Sequence, residues 1–281
     1  MNVMPITVLQ LTSVDNVDEN LMQIQQLLES APIKPFGHWV CLPENALYMR
    51  VVEGQSVPFF QSTDPIFHRL QKIAEKFQCR FHVGSLPLES QGLAANTSVV
   101  VTSKHVLPSY QKIHLFNIQL VGQKPIRESD VFQAGSQPCV IQDRGWSFGQ
   151  TICYDMRFAE LFVEYAHHPV DALLVPSAFL VPTGKAHWEV LLRARAIESQ
   201  CYVIAAAQSG SHRGFRETYG HSVIIDPWGR ILAESNKVGP DLLQAELQLD
   251  EIRRVRTQIP MADHRRLFEK KREASILPIQ E

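Results

Sequence analysis

A thiol, a carboxylate and an ammonium each stand at the end of a strand-like run in this chain. Cys153 closes the run Gly149-Gln150-Thr151-Ile152 and opens the polar turn Tyr154-Asp155-Met156-Arg157-Phe158. Such a position is where α/β proteins build their sites. Unpaired cysteine is also among the most buried residue types, so Cys153 alone reads equally as core. Glu44 follows Trp39-Val40-Cys41-Leu42-Pro43, a strand stopped by a proline that cannot donate to a ladder. Lys112 lies among aromatic and apolar neighbours in Tyr110-Gln111-Lys112-Ile113-His114-Leu115-Phe116. Singly, Glu44 reads as a strand-end charge in water and Lys112 as a snorkelling side chain. Together they supply a base, a cation and a nucleophile.

Glu44, Lys112 and Cys153, in that order, resemble the Glu-Lys-Cys set of the nitrilase (carbon–nitrogen hydrolase) superfamily, over residues 6–268. Further runs are similar to its Nit branch: Pro176-Ser177-Ala178-Phe179, residues 183–198, Tyr219-Gly220-His221-Ser222 and Asp226-Pro227-Trp228-Gly229. Residues 191–210 look more like the deaminated glutathione amidases than the omega-amidases, whereas residues 153–161 suit either. The resemblance implies a cysteine-dependent amidase that hydrolyses deaminated glutathione to 2-oxoglutarate and cysteinylglycine. The alternatives are an omega-amidase acting on 2-oxoglutaramate and a non-catalytic binding protein of the same fold. The intact Glu44, Lys112 and Cys153 argue against the last.

The chemistry fits these residue types. A free thiol is only a few per cent thiolate at neutral pH, so it needs a partner to take its proton. A solvated Glu of pKa about 4.3 is a poor base for a thiol of about 8.5. Burial and a nearby ammonium would tune the two groups, and the ammonium is expected to favour thiolate. Lys112 would also meet the developing oxyanion, helped by the backbone N–H of Tyr154. The implied reaction is two-step acyl transfer. Cys153 attacks, Glu44 protonates the leaving nitrogen and then activates water, and no metal or organic cofactor takes part.

The resemblance also implies a second carboxylate near the lysine. Glu128 is the candidate, although its polar loop with Arg127 and Asp130 reads equally as solvated surface. Arg157 is suited to clamp a substrate carboxylate bidentately, with an ion pair to Asp155 or Glu160 as the competing reading. Tyr154, Phe179 and His187 complete the candidate substrate pocket. His114, His187 and His221 are the histidines that a Cys–His mechanism would use. The resemblance gives the base role to Glu44 instead.

Composition narrows the class. The chain has 281 residues, 45% of them hydrophobic, and a formal net charge of −2. No basic stripe points to nucleic acid. The clusters His264-Arg265-Arg266 and Lys270-Lys271-Arg272 read as a solvated helix face. Five scattered cysteines without CxxC spacing read as reduced cytoplasmic thiols and not as a metal site. The first residues carry no basic, then apolar, leader pattern, and no apolar run reaches membrane-spanning length. The expected partner is a small amide bearing a carboxylate, with no nucleic acid and no membrane.

Elements that could position these groups recur along the chain. Strands are expected at 6–11, 39–42, 80–86, 97–101, 106–110, 149–152, 172–176, 202–207, 221–225 and 242–247. Asp64-Pro65 marks a capped helix start, with Ile66, Leu70, Ile73, Ala74 and Phe77 on one face. A second helix is expected at 186–199, with Val190, Leu191, Ala194 and Ile197 at helical spacing. Asp226-Pro227-Trp228-Gly229 signals a hairpin turn. Alternating strands and helices imply an α/β architecture, and pattern alone leaves a doubly wound sheet and a sandwich open. The resemblance implies a four-layer α-β-β-α sandwich that commonly forms a homodimer. One domain over 1–281 is expected, with a core at about 4–268 and a tail at 269–281.

Overall fold

Side chains alternate faces along a strand, and in this chain both faces are apolar. The computed structural model describes residues 2–31, 38–90, 93–119, 122, 124–168, 170–266 and 274–279. In β1 (Val3–Gln10), Met4, Ile6 and Val8 join one core cluster and Leu9 another. β2 (His38–Cys41) repeats the split, with Trp39 and Cys41 on one side and Val40 on the other. A strand covered on both faces needs a layer above and a layer below, which is what the remaining elements provide.

β2 runs parallel to β1 and to β3 (Cys79–Ser90), which continues antiparallel into β4 (Leu93–Val101) and β5 (Val106–Gln111). β6 (Asn117–Ile118) and β7 (Ile126–Arg127) make a short ribbon. A second sheet gathers β8 (Cys139–Asp143), β9 (Trp146–Gln150), β10 (Ala172–Leu174) and β11 (Tyr202–Ala205). β12 (Ser209–His212) and β13 (Arg216–Tyr219) form another ribbon. β14 (Val223–Ile225) and β15 (Ile231–Glu234) extend the second sheet through the expected Asp226-Pro227-Trp228-Gly229 turn. β16 (Asp241–Gln248) returns to pair with β1, and β17 (Ser275–Pro278) pairs with β8. The six-stranded order is β16-β1-β2-β3-β4-β5, and the seven-stranded order is β15-β14-β11-β10-β9-β8-β17.

The sheets meet face to face over Ile6, Trp39, Phe148, Leu174 and Ile204. Trp39 Nε1 crosses this layer to donate to Asp143 Oδ2 at 2.9 Å. The outer face of the first sheet is covered by α1 (Val17–Glu29) and α2 (Pro65–Phe77). That of the second is covered by α3 (Ala159–His167) and α4 (Val181–Ser199). The result is the four-layer α-β-β-α sandwich.

Several local expectations change. α2 starts at Pro65, but Asp64 does not cap it with its side chain; its carboxylate accepts from the Gln61 N–H at 2.9 Å. The preset φ of proline suffices at that position. α4 does not bury the expected stripe. Gly184, Trp188, Leu192, Arg195, Ala196 and Ser199 are buried, while Val190 (63% exposed) and Ile197 (47%) face outward. Arg195 explains the error. Its guanidinium donates to Met156 O at 3.0 Å, pairs with Glu198 and lies over the Phe162 ring, so a charged residue takes a core position. The expected tail contains a sheet strand, β17. Its four residues are too short and proline-ended to show a period. Lys270-Lys271-Arg272 lies outside the described residues.

Gly84 marks the tightest approach between the two sheets' strand ends. A Cβ there would lie 2.2 Å from Leu42 O, 2.3 Å from Pro176 Cβ and 2.5 Å from Pro43 O. Two of these are backbone atoms that cannot step aside. Gly84→Ala is expected to lower unfolding stability by about 1–3 kcal/mol, the range for overpacking. Urea denaturation measures it, and an unchanged midpoint would show that the strand ends yield freely.

Candidate active site

The close approach at Gly84 brings the ends of β2 and β10 together, and the candidate residues sit on or beside those ends. Glu44 follows Pro43, and its carbonyl accepts from Gln208 Nε2 at 3.0 Å. Lys112 directly follows β5, with its N–H donating to Asn96 O at 2.9 Å and its carbonyl accepting from Gly135 N–H at 2.8 Å. Cys153 lies beyond β9, and its N–H donates to Pro176 O at 2.8 Å, just past β10. Its φ is 49°, in the left-handed region that non-glycine residues seldom occupy. Strain of this kind clusters at functional sites because the surroundings must hold it.

The side chains converge. Lys112 Nζ lies 2.8 Å from Glu44 Oε1 and 2.8 Å from Glu128 Oε2, with side-chain exposures of 2%, 6% and 12% in that order. Glu128 is therefore part of the cluster and not a solvated loop charge. Its Oε2 also accepts from the Phe116 N–H at 2.6 Å. Asn96 Nδ2 bridges the two carboxylates, at 3.1 Å from Glu44 Oε1 and 2.8 Å from Glu128 Oε1. Its Oδ1 is buried without a donor, so the carboxylates alone orient this amide.

Burial opposes the charge on Lys112, but Glu44 and Glu128 outweigh it and hold the ammonium well above its ordinary pKa. Burial also opposes the charge on Glu128, and Lys112 with its hydrogen bonds brings that carboxyl below its usual value. The Cys153 thiol goes the other way. Burial and Glu44 push it well above an ordinary thiol, against Lys112 and the Ala178 N–H. Lys112 favours the thiolate, as expected, but burial and Glu44 outweigh it. The lysine's charge is already matched by two carboxylates. Burial and Glu44 therefore favour the neutral thiol in the resting site.

Asp155 is a fully buried carboxylate that sequence reading missed as a structural link. It accepts from the Ile152 N–H at 2.9 Å and the Tyr110 hydroxyl at 2.7 Å. Its other oxygen accepts from the His114 N–H at 2.9 Å and lies 2.8 Å from His114 Nδ1. Tyr110 and His114 flank Lys112, so one carboxylate ties the turn of Cys153 to the segment of Lys112. Asn96 was missed as well. Nothing in linear spacing connects either residue to its partners.

Glu44, Lys112, Glu128, Cys153, Tyr154, Arg157 and Phe179 line one cavity of about 650 Å³. That lies within the range of about 300–1,000 Å³ usual for small-ligand sites. Tyr154 lies in the first turn of a 3-10 helix, Cys153–Arg157, where backbone N–H groups lack intrahelical acceptors. Arg157 does not pair with Asp155 or Glu160. Its guanidinium lies 5.1 Å from the Phe179 ring and 5.8 Å from the Tyr154 ring. His187 departs from expectation. It is exposed, does not line the cavity, and meets Arg157 with Nδ1 3.2 Å from Nη1. α4 begins at Val181, before the expected start, so Leu180 and Thr183 face the cavity instead. His114 stacks on Phe158, and His221 stacks on Tyr219 beside Glu234. Among the described residues no group of His, Cys, Asp and Glu is arranged to hold a metal ion.

Comparison with known proteins agrees with this geometry. The chain is 38% identical over 267 residues to the deaminated glutathione amidase of Synechocystis sp. (strain PCC 6803 / GT-S), covering 92% of this chain and 96% of that protein. It is 34% identical over 267 residues to the deaminated glutathione amidase of Yersinia enterocolitica, covering 93% and 92%. The crystal structure of Saccharomyces cerevisiae Nit3, a member of branch 10 of the nitrilase superfamily, superposes with a TM-score of 0.76 at 27% identity, covering 92% of this chain and 95% of that one. Residues 6–257 match the carbon–nitrogen hydrolase family, and the chain belongs to it.

Proposed function

We propose that the cavity hydrolyses the amide bond of deaminated glutathione, releasing cysteinylglycine and 2-oxoglutarate through a thioester on Cys153. One observation carries the reading. A buried thiol at positive φ lies in one cavity with Glu44 and its buried ammonium partner Lys112, beside Arg157, which has no carboxylate partner among the described residues. Relatives named deaminated glutathione amidase over nearly the full chain support it.

Cys153 starts as a thiol, so its proton passes to Glu44 as the sulfur attacks the amide carbon. The carbonyl oxygen becomes an oxyanion, met by the Lys112 ammonium and the Tyr154 N–H. Such donors act in a dry site without reorganising. Glu44 returns the proton to the leaving nitrogen as the C–N bond breaks. Water then attacks the thioester with Glu44 again as base, and the acid leaves with the thiol restored. Glu128 and Asn96 keep Lys112 charged and Glu44 aimed throughout. Arg157 holds the carboxylate of the acyl part, with its plane packed on Phe179 and Tyr154.

The same reading takes residues 1–281 as one domain that works as a cytoplasmic homodimer. Five unpaired, buried cysteines suit a reducing compartment. No described helix is long and apolar enough to cross a membrane. A dimer face is supported by Val190 and Ile197 on α4, which lie beside the exposed Trp228 turn where Arg193 Nε donates to Gly229 O at 2.9 Å.

Cysteinylglycine release from deaminated glutathione, run beside ammonia release from 2-oxoglutaramate, tests the substrate. The wild type is expected to show the higher kcat/KM on deaminated glutathione, and Cys153→Ala to be inactive on both. A preference for 2-oxoglutaramate would make the protein an omega-amidase. Asp155→Asn probes the link between the two segments. It should lower kcat by on the order of tenfold to a hundredfold with KM little changed, since misplacing a catalytic group by about 1 Å has that scale of effect. An unchanged kcat would show that Cys153 and Lys112 are aligned without it.

A further inference from the structure

Arg50, Arg127, Arg157 and Arg216 line the cavity, and among the described residues none has a carboxylate partner. The acids nearest the thiol are already engaged, because Glu44 and Glu128 both bind Lys112. At the rim, Glu53 is taken by Lys124 at 2.7 Å. Guanidinium groups left without acids in a concave site are suited to an anionic ligand, since they grip a carboxylate with two parallel hydrogen bonds.

Three of these arginines fall into two positions. Arg157 belongs to the helical turn of Cys153. Arg50 and Arg216 belong with Glu44. All three line the one cavity, where burial lowers the Arg216 guanidinium, Arg50 adds to that pull and Glu44 opposes it. Arg50 lies on the segment that follows Glu44, and Arg216 opens β13. This ribbon is fixed. His212 of β12 lies 2.6 Å from Ser13 O through Nδ1 and 2.8 Å from Thr218 Oγ1 through Nε2. The Tyr219 N–H donates to Phe179 O at 2.9 Å. Two like charges half-buried together repel, and a carboxylate between them would relieve that repulsion.

In amide hydrolysis the acyl part stays on the sulfur, and the amine departs past the group that protonates it. Resting on the deaminated glutathione reading above, we propose that Arg50 and Arg216 form the subsite for the terminal carboxylate of the leaving peptide. Arg157 takes the carboxylate of the acyl part. The pair therefore selects amides whose leaving group is a peptide over amides that release ammonia.

The test compares deaminated glutathione, its C-terminal amide and 2-oxoglutaramate. The wild type is expected to lose on the order of tenfold to a hundredfold in kcat/KM on the terminal amide, the scale of a lost charge-assisted hydrogen bond. Arg216→Gln and, separately, Arg50→Gln should lower the kcat/KM ratio of deaminated glutathione to 2-oxoglutaramate by a similar factor, chiefly through KM. Neither variant should discriminate the terminal acid from the terminal amide as the wild type does. A wild type indifferent to the terminal amide, or a ratio unmoved in both variants, would overturn the subsite.

A second readout uses no 2-oxo acid. Glycylglycine should slow alkylation of Cys153 by iodoacetamide in the wild type, glycylglycinamide should not, and Arg216→Gln should lose the protection. Equal protection of wild type and variant by glycylglycine would overturn the proposal. Arg216-dependent protection in a protein that hydrolyses none of the three amides would sustain the subsite and reject the substrate.

Discussion

The ammonium of Lys112, buried between two carboxylates and beside a thiol, is the interaction on which the rest of the site depends. Taking an ion out of water costs on the order of several kcal/mol even after relaxation. Lys112 offsets this with two contacts of 2.8 Å, to Glu44 and to Glu128. Lys112 is already engaged by two acidic side chains before any thiolate forms beside it. The proton on Cys153 thus belongs to the resting state, and Glu44 is the acceptor within reach. An oxyanion formed from substrate would draw on the same ammonium, so charge created at the carbonyl meets a partner already in place.

That arrangement explains features of the fold that would otherwise look wasteful. The two sheets must bring their strand ends close enough for Glu44 to act on Cys153, which is why Gly84 has no room for a side chain. Cys153 must turn sharply off its strand, which its φ of 49° accomplishes. Asp155 uses both carboxylate oxygens to lock that turn against Tyr110 and His114. The outer helices cover the sheets, and the inter-sheet layer around Trp39, Trp146 and Phe148 fixes their separation.

Much of this was legible in the sequence, for reasons that can be stated. Many strands covered on both faces are near-continuous apolar runs and were expected, but β8, with the same two-sided burial, was missed, and the order across two sheets was not legible. Glu44, Lys112 and Cys153 each had an ordinary reading alone, and stood out only as a set that resembles a known Glu-Lys-Cys arrangement. Glu128 was ambiguous because a carboxylate in a polar loop looks solvated until the loop's path is known. Asn96 and Asp155 were missed because their partners are far away in sequence. The face of α4 was misread because Arg195 is buried by hydrogen bonds and a ring contact that no hydrophobic count registers. His187 was misplaced by the same helix starting earlier than its apolar pattern suggested.

Burial and Glu44 favour a neutral thiol at Cys153 despite the adjacent ammonium, and this balance is open to direct measurement. It is tested most directly by the ultraviolet absorbance of thiolate, titrated with pH in the wild type and in Cys153→Ala, the difference belonging to this sulfur. An ordinary thiol ionises near about 8.5. Burial and Glu44 raise the Cys153 value, so no difference signal is expected at neutral pH, and ionisation should begin only above the ordinary value. A thiolate step well below that value would contradict the account, because Lys112 would then be paired with the sulfur and not held by its two carboxylates.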